Sequence, residues 1–446
     1  MSSIIKNDKK TIRAWTFYDW ANSSFPLVIN SAIFPAFYEY QTTVRDEQGQ
    51  IINDTVNVLG HTFKNTELYS YFVSLALLVV CFTAPILSGI ADYRGNKKRF
   101  LAQFCILGSF SCAGLFFFDK NHMILSMIPF LTATIGYWGS LVFYNAYLPE
   151  IATVDMQDKV SAKGFALGYI GSSILLIINL VLITLGSKAK EAGGENFYPA
   201  KYAFITVAIW WFCFALYTLR NLPKGIGNGS GEKQKNVLSK GFKELLKVFR
   251  ELKDQTALKR FLRSYFFYNM GVQTVMYMAT LFAAKEIDWP SEDYKKTALI
   301  VSILLIQFLG VAGSFLFSWV SSKIGNVKAL GIAIFIWILI CVSVFLFINT
   351  PVEFYCVAAS VGLVMGGIQA LSRSTYSKLL PETKDHASYF SFFDVTEKIG
   401  IVVGTFSFGL IEGLTGSMRQ SVLALISFFA IGFILLLFIP KKKSIA

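Results

Sequence analysis

The sequence predicts an all-α membrane protein with twelve transmembrane helices in two parallel six-helix repeats. Hydrophobic residues make up 54% of the 446 residues and charged residues only 15%, whereas soluble proteins carry about 25% charged residues. The apolar residues fall in blocks of about twenty, which is the length that a helix needs to cross the hydrocarbon core. Short sequence patterns also recur at equivalent places in the two halves of the chain.

The twelve spans follow from these apolar blocks. An apolar helix can also be the buried centre of a large soluble protein, but a dozen such helices with short loops cannot all be buried in that way. The spans divide the chain into an N-terminal bundle (1–220), a cytoplasmic linker (221–259) and a C-terminal bundle (260–446). They cover residues 14–38, 68–91, 99–118, 123–147, 163–186, 200–220, 260–284, 296–320, 329–349, 352–376, 389–414 and 418–439.

The distribution of positive charge predicts the orientation. Cytoplasmic loops of membrane proteins retain lysine and arginine, and most of the 41 such residues lie at the N-terminus or after even-numbered spans. We therefore expect a multi-pass protein of the cell membrane with both termini in the cytoplasm. The same asymmetry explains the net charge of +13, so no nucleic-acid partner is needed to explain it.

Several kinds of chemistry are disfavoured by what the spans contain. The six cysteines all lie inside spans, where they behave as small apolar side chains rather than as disulfides or metal ligands. His61, His122 and His386 fall in predicted loops, which leaves no histidine within the bilayer to relay protons. No HExxH motif, Ser/His pairing or ATP-binding domain is visible, so neither an enzyme nor a primary pump is expected. We expect no cofactor and no metal, and a monomer whose partners are a small solute and the lipid bilayer.

An internal repeat predicts the architecture. The loops after spans 2 and 8 share Gly-Asn before a lysine, at residues 95–98 and 325–328, and spans 4 and 10 both end in Leu-Pro-Glu. Spans 1 and 7 share Phe-Tyr followed by Asp or Asn. The two motifs in spans 1 and 7 are further apart in the sequence than the other equivalent pairs, because the first outer loop, 39–67, is long. Equivalent spans are six apart, so the halves have the same orientation, which is typical of a parallel repeat with a binding site between its halves.

The linker combines a glycine-rich stretch with an amphipathic helical pattern. Lysines lie opposite the apolar face, so such a helix would lie along the inner membrane surface. A solvated linker helix is the alternative. The apolar face consists of Leu238, Phe242, Leu245, Leu246, Phe249 and Leu252.

Polar residues form stripes along spans 1, 4, 7 and 10. Hydrogen bonds between helices would explain any single Asn or Ser, whereas the stripes together favour a shared, water-filled cavity. The stripes are Asp19, Asn22, Ser23, Pro26 and Asn30; Thr134, Trp138 and Asn145 with Tyr137; Asn269, Gln273, Tyr277 and Thr280; and Gln369, Ser372, Arg373 and Tyr376. The candidates for solute contact are Asn22, Asn30, Trp138, Asn269, Gln273 and Gln369.

Charged residues cluster near the inner ends of three spans: Asp19, Arg373, Asp394, Glu397 and Lys398. A charge in the bilayer costs roughly 2.5–3.5 kcal/mol on insertion scales, so a charged residue inside a span indicates a structural or functional role. Three acids and two bases at similar depth could form an inner gate of ion pairs, or they could be anchors at the level of the lipid headgroups. Asp19 is the best candidate for a proton-linked carboxylate, because a carboxyl group among apolar side chains can exchange protons near neutral pH.

Residues 88–98, SGIADYRGNKK, resemble the signature loop of the major facilitator superfamily. The resemblance implies that Asp92 faces the start of span 11 and stabilises one state of the gate, which suits a carboxylate near a helix N-terminus. The repeat copy has Ser322 at this position, so the second half is expected to lack the charge-based latch. Three positions depart from the signature: Ser88, Tyr93 and Asn96.

Three further motifs are residues 18–23 (YDWANS), 144–150 (YNAYLPE) and 367–374 (GIQALSRS). They are similar to the vacuole-effluxer branch of that superfamily, which includes the fungal autophagy-related vacuolar amino-acid exporter and bacterial relatives. The resemblance covers the whole chain and implies a twelve-helix alternating-access carrier, amino-acid efflux, and a cavity lined by spans 1, 4, 7 and 10. With Glu150 included, the candidate gating and coupling residues are Asp19, Asp92, Glu150, Arg373, Asp394, Glu397 and Lys398.

The sequence thus predicts a secondary active transporter that moves a small polar solute by alternating access, with coupling to protons as a hypothesis. The alternative is a transporter-like membrane receptor or lipid-handling protein without net solute flux. A cavity plugged by bulky side chains, or solute binding without counterflow, would favour that alternative.

Overall fold

The structure, a computed structural model, describes residues 5–46, 51–58, 60–224 and 237–440. Its helices follow the predicted spans to within a few residues at their ends. They are α1 (Lys9–Asn22), a π-helix (Phe25–Ile33), α2 (Phe34–Thr42), α3 (Asn65–Arg94), α4 (Lys97–Gly114), α5 (Met123–Asn145), α6 (Leu148–Ile151), α7 (Gln157–Glu191), α8 (Tyr202–Asn221), α9 (Val237–Asp254), α10 (Thr256–Glu286), α11 (Glu292–Ile324), α12 (Asn326–Leu346), α13 (Pro351–Leu379), α14 (His386–Thr415) and α15 (Met418–Leu437), with short 3₁₀ turns at Leu115–Phe117 and Lys120–His122.

Ten helices of the described chain are long and apolar enough to cross a membrane. The two remaining predicted spans are also helical but are not among these ten. The first consists of α1, the π-helix and α2 in succession, and the seventh is α10. These two carry the polar stripes with Asp19 and Asn269, and the first is divided into pieces of 14, 9 and 9 residues, each shorter than a helical crossing needs. The count of twelve crossings stays a prediction for these two segments.

The first span is not the regular helix that its sequence pattern predicts. A π-helix runs from Phe25 to Ile33, and at its end the backbone N–H of Phe34 donates to the carbonyl of Ile29. Proline favours such an irregularity because it lacks the N–H that an α-helix needs. Pro26 is the second residue of this segment, and Pro35 follows its end. Short π-helical segments are frequent at functional sites, and this one carries Asn30.

The long loop 39–67 holds a departure from the all-α prediction. Two short antiparallel pairs form there, β1 (Val44–Arg45) with β2 (Ile51–Asn53) and β3 (Thr55–Val58) with β4 (His61–Lys64). In the second pair Thr55 lies opposite Lys64.

Helix packing follows the same pattern in the two halves of the chain. In the N-terminal half α1 packs against α7 and α8, α3 against α5, and α4 against α8. In the C-terminal half α10 packs against α14 and α15, α11 against α13, and α12 against α15. Each pair in the second half is the equivalent of a pair in the first.

Close packing of α11 on α13 depends on glycine. A Cβ atom at Gly366 would overlap the backbone carbonyl of Gly310 on the facing helix. Small residues let two helix backbones approach closely in a membrane, where packing rather than hydrophobic burial drives association.

The two halves meet where α7 packs against α11 and α13, and where α3 packs against α14. The linker helix α9 lies at one end of this interface, which we call the α9 end of the bundle. It packs against α3 of the first half and contacts α10 and α14 of the second. Val248 of α9 is buried, whereas Phe242 and Phe249 remain about half exposed. The glycine-rich part of the linker and the side chain of Leu238 lie outside the described residues.

Candidate functional site

A cavity of about 160 Å³ lies between the two halves. Its walls are the polar faces of α1, the π-helix, α5, α10 and α13; α7 adds one side chain and α14 adds two. The structure therefore brings the polar stripes of the four predicted spans around one space. All six side chains predicted to contact a solute line it: Asn22, Asn30, Trp138, Asn269, Gln273 and Gln369.

Three members of the predicted stripes lie outside the cavity wall. The hydroxyl of Thr134 donates to the carbonyl of Phe130 within α5, and that of Tyr376 donates to the carbonyl of Tyr389 at 2.5 Å. Thr280 is exposed on α10. The alternative of a hydrogen bond between helices is therefore correct for Tyr376, which joins α13 to α14, whereas Thr134 bonds within its own helix.

An ion pair joins the two halves where the cavity approaches the α9 end. Oδ2 of Asp19 lies 3.3 Å from both Nη1 and Nη2 of Arg373. The hydroxyl of Tyr144 donates to the same oxygen at 2.7 Å. The side chains are only 7% and 4% exposed, so each charge depends on the other for compensation in a site that water hardly reaches.

Arg373 is fixed to the first half at several points besides Asp19. Its Nε donates to Oγ of Ser161 at 3.0 Å, and its Nη2 donates to the backbone carbonyl of Ser161 at 2.9 Å. The centre of its guanidinium lies 4.2 Å from the ring centre of Phe165 and 4.8 Å from that of Trp15. Arginine suits this position because a planar guanidinium can stack on rings while its edge donates hydrogen bonds.

Gly164 of α7 leaves the space that this ion pair occupies. A Cβ atom at Gly164 would collide with the carboxylate of Asp19 and would lie 2.9 Å from Nη2 of Arg373. Any larger side chain would therefore have to displace one of the two charges.

Three neighbouring charged residues of α14, Asp394, Glu397 and Lys398, form a second, separate group. Glu397 lines the cavity and accepts a hydrogen bond of 2.8 Å from Nε2 of Gln273. Lys398 contacts the carboxylate of Asp394, lies 3.8 Å from Oε2 of Glu397, and places its Nζ 3.9 Å from the ring centre of Trp138. The five charges therefore fall into two groups rather than one network, because Asp394, Glu397 and Lys398 pair within one helix.

Two amide groups at the cavity have unused hydrogen-bond donors. Nδ2 of Asn22 and Nδ2 of Asn269 are buried and have no hydrogen-bond partner among the described residues. Buried donors are nearly always paired, so these two groups are available to a solute or to water. The Gln369 carbonyl, in contrast, already accepts from the hydroxyl of Tyr169 at 2.6 Å.

The residue that the signature loop singled out, Asp92, lies against the start of α14. Its two carboxylate oxygens accept hydrogen bonds from the backbone N–H groups of Ala387 (3.1 Å) and Ser388 (2.7 Å). Such N–H groups at a helix N-terminus have no partner within the helix and favour a negative charge. Asp92 thereby links α3 of the first half to α14 of the second.

Glu150 and His386 extend this contact. Glu150 forms a buried ion pair with Lys97, whose Nζ lies 3.7 Å from Oδ1 of Asp92. Nδ1 of His386 lies 2.9 Å from Oε1 of Glu150. The expectation that His386 is a loop residue is wrong, because it is the first residue of α14 and its side chain is only 14% exposed.

A second latch joins the halves through Asp158 at the start of α7. Oδ2 of Asp158 lies 2.6 Å from Nζ of Lys378 and accepts from the hydroxyl of Ser321 at 3.0 Å. Oδ1 accepts from Nδ2 of Asn326 at 2.8 Å. The expectation that the second half lacks a charge-based latch, drawn from Ser322, is therefore wrong. The carboxylate comes from the opposite half, and the second half supplies the cation.

These contacts close the cavity in two layers at the α9 end. The latches of Asp92 and Asp158 lie at the ends of the helices. The Asp19–Arg373 pair lies deeper, since Asp19 is ten residues into α1, which corresponds to about 15 Å along the helix. Both layers link one half of the protein to the other.

Comparison with known proteins gives the family and the fold. A family model described as "Vacuole effluxer Atg22 like" matches residues 7–446. YxiO of Bacillus subtilis (strain 168), described as an uncharacterized MFS-type transporter, is 30% identical over 99% of this chain and 97% of its own length. Autophagy-related protein 22-2 of Aspergillus oryzae is 23% identical over 89% of this chain and 77% of its own length.

Among solved structures, the major facilitator superfamily transporter FucP in its outward conformation superimposes with a TM-score of 0.70 at 14% identity, over 97% of this chain and 99% of that one. A bacterial homologue of the iron transporter ferroportin in its outward-facing state gives a TM-score of 0.64 at 11% identity, over 97% and 99% of the two chains. The fold is thus that of the major facilitator superfamily. The chain belongs to the vacuole effluxer Atg22-like family and is a multi-pass membrane transporter.

Proposed function

We propose that this chain is a secondary active transporter that moves a small polar solute by alternating access between two six-helix bundles. The bundles would correspond to residues 1–220 and 260–446, joined by the linker 221–259, with twelve crossings in all. Support for the repeat comes from the helix pairs that recur in the two halves. A carrier of this kind holds its site at the interface of two repeats that rock against each other.

The single observation that carries the proposal is a polar cavity between the halves that charged contacts close at one end. Transport by alternating access needs such a site and a closure that can break and re-form. The receptor alternative would favour a cavity filled by bulky side chains. A space of about 160 Å³ is left here, with two amide donors that have no partner among the residues described.

The solute that we propose is an amino acid, moved in the efflux direction. The cavity offers a carboxylate in Glu397 and a guanidinium in Arg373, together with several amides. Such groups suit a solute that carries both an ammonium and a carboxylate group. The family description, a vacuole effluxer, agrees with this direction. We further propose that Asp19 takes up and releases a proton during the cycle.

We propose that the α9 end faces the cytoplasm in the cell membrane, and that the protein acts as a monomer. The excess of lysine and arginine in the loops at that end supports this orientation. Under it, the structure is closed on the cytoplasmic side.

Flux in proteoliposomes tests the proposal. Vesicles that contain the purified protein are loaded with unlabelled amino acid and diluted into a trace of labelled amino acid, and counterflow is measured. We expect labelled solute to accumulate transiently with the wild-type protein and not with Asp19→Asn. Saturable binding of the amino acid without any counterflow would contradict transport, and flux that ignores an imposed pH gradient would contradict proton coupling alone.

A further inference from the structure

A groove of about 360 Å³ opens on the protein surface beside the linker helix. It lies between the last turns of α9, the first turns of α10 and the middle of α14. It is separate from the solute cavity, with which it shares no residue. Its walls are mostly apolar, with Phe249 and Leu252 on one side and Phe266 and Phe267 on the other.

Three cations surround the mouth of this groove: Lys253, Lys259 and Arg263. Lys253 holds its Nζ 5.2 Å from the ring centre of Phe249, and Lys259 donates to the backbone carbonyl of Lys253 at 2.8 Å. No carboxylate lines the groove, and none of the described residues forms an ion pair with any of the three. Within the described part of the chain, therefore, no carboxylate neutralises these three charges.

The order of these residues along α10 matches the order of groups in a phospholipid. Lys259 and Arg263 lie near the start of the helix, and Phe267 lies about 12 Å further along it, eight residues beyond Lys259. A molecule in the groove would therefore meet cations at one end and aromatic side chains at the other. A free phosphate ion would use the first group of contacts and leave the apolar walls uncovered.

We propose that the groove binds an anionic phospholipid from the leaflet at the α9 end. Its phosphate lies among Lys253, Lys259 and Arg263, and one acyl chain lies along Phe266 and Phe267. Basic residues next to membrane-embedded helices attract anionic headgroups, and the apolar walls add the hydrophobic contribution of a buried chain. The proposal does not depend on which solute the protein carries.

A lipid at this place would secure the helix that crosses from one half to the other. α9 packs on α3, while its Glu251 accepts from the hydroxyl of Tyr389 at 3.1 Å and its Lys247 lies 3.0 Å from the carboxylate of Asp385. The groove adds a third attachment, to α10. The bound lipid therefore stabilises α9 in the position seen here, against the closed end of the bundle.

Lipid binding to the purified full-length protein in detergent tests the proposal. The protein is titrated with phosphatidylglycerol, phosphatidylcholine or sn-glycerol 3-phosphate, and bound molecules are counted by native mass spectrometry. We expect one tight site for phosphatidylglycerol. Replacing Lys253, Lys259 and Arg263 by glutamine should weaken it about a hundredfold, at roughly fivefold for each cation.

A matched control replaces three exposed lysines at the same end of the bundle, Lys159, Lys163 and Lys323, by glutamine. It should bind phosphatidylglycerol like the wild type. A second variant, Thr396→Trp, fills the groove and leaves the three cations in place, and it should also lose the site. Equal melting temperatures establish that the variants are folded.

Three results would overturn the proposal. The triple glutamine variant could bind phosphatidylglycerol as tightly as the wild type. Phosphatidylcholine could bind equally well, which would make the groove a site for any acyl chain. Finally, sn-glycerol 3-phosphate could bind as tightly as the lipid, which would identify a site for a soluble phosphate.

Discussion

Oδ2 of Asp19 lies 3.3 Å from both terminal nitrogens of Arg373, across a separation of 354 residues in the chain. The pair belongs to two different halves of the protein and lines the cavity between them. A solute that reaches the cavity therefore meets the groups that hold the halves together. Under the proposed alternating access, the α9 end can open only if this pair breaks, because the pair joins the two halves there.

Removing either charge should abolish transport while membrane insertion remains intact. Breaking a buried pair by removing one partner costs about 3–5 kcal/mol, because it leaves an uncompensated buried charge. Asp19→Asn and Arg373→Gln are therefore expected to reduce counterflow in proteoliposomes to background. The amount of each variant in the membrane fraction should equal that of the wild type.

The matched control for this prediction is an exposed ion pair whose nitrogen-to-oxygen distance is similar to that of Asp19 and Arg373. Lys285 lies 2.8 Å from Glu412, and its side chain is 63% exposed. Exposed pairs contribute about 0–1 kcal/mol, so Lys285→Gln should transport normally. Wild-type flux by both Asp19→Asn and Arg373→Gln would refute the assigned role of the pair.

Gly164→Ala should impair transport although it adds a single methyl group. The added Cβ would collide with the carboxylate of Asp19, and overpacking of this kind costs roughly 1–3 kcal/mol. We expect flux to fall by about tenfold or more, as measured by initial rates of counterflow. Gly409→Ala on α14, where no atom lies within 4 Å of the added Cβ, should keep its activity. Equal activity of the two variants would show that the close contact at Gly164 is unimportant.

The latch at Asp158 should show energetic coupling with Lys378. Residues that share a buried ion pair have interaction energies of about 0.5–3 kcal/mol in double-mutant cycles. Asp158→Asn and Lys378→Met should each lower the melting temperature, and the double variant should lower it by less than the sum. The melting temperatures are measured by tryptophan fluorescence during heating.

Ser322 provides the comparison for the latch, because it occupies the repeat position of Asp92. It is exposed, and its hydroxyl donates to the carbonyl of Trp319 in its own helix. Ser322→Ala should leave the melting temperature unchanged. Strictly additive effects of Asp158→Asn and Lys378→Met would mean that the two residues do not stabilise the closed end jointly.

Asn269→Leu should weaken solute binding without closing the cavity. The Nδ2 group of Asn269 is buried at the cavity without a described partner, and the loss of a hydrogen bond costs roughly 1–3 kcal/mol. We expect the KM for the transported solute to rise about tenfold or more at constant expression. Thr280→Val, on the exposed part of the same helix, should leave KM unchanged. A KM that Asn269→Leu does not alter would remove this residue from the binding site.

The sequence was sufficient for ten of the spans and for most of the cavity wall. Blocks of apolar residues predict helices directly, and polar side chains at helical spacing predict which faces meet, because lipid leaves them no other favourable place. The six solute-contact candidates line one cavity for this reason. The π-helix at Phe25–Ile33 could not be predicted from spacing alone, although Pro26 and Pro35 are the local signal for it.

The pairing of charges was harder to predict, since sequence order does not reveal which helix ends meet across the halves. Asp158 and Lys378 lie near predicted span ends, where solvated charges are common, and no pattern links them. His386 looked like a loop residue because the apolar block starts three residues later. The signature loop identified Asp92, because the family resemblance supplied the partner helix that residue spacing alone could not.

Distances between spin labels at both ends of the bundle test the central claim, that breaking the Asp19–Arg373 pair lets the halves rock about the cavity. With the native cysteines replaced by serine, labelled cysteines replace Lys159 and Lys323 at the α9 end, or Lys188 and Asp288 at the other end. The distance between the two labels is then measured by electron–electron double resonance, once with Asp19 in place and once in the Asp19→Asn variant. The account predicts a longer distance at the α9 end and a shorter one at the opposite end in the variant. Unchanged distances at both ends, or lengthening at both, would contradict it.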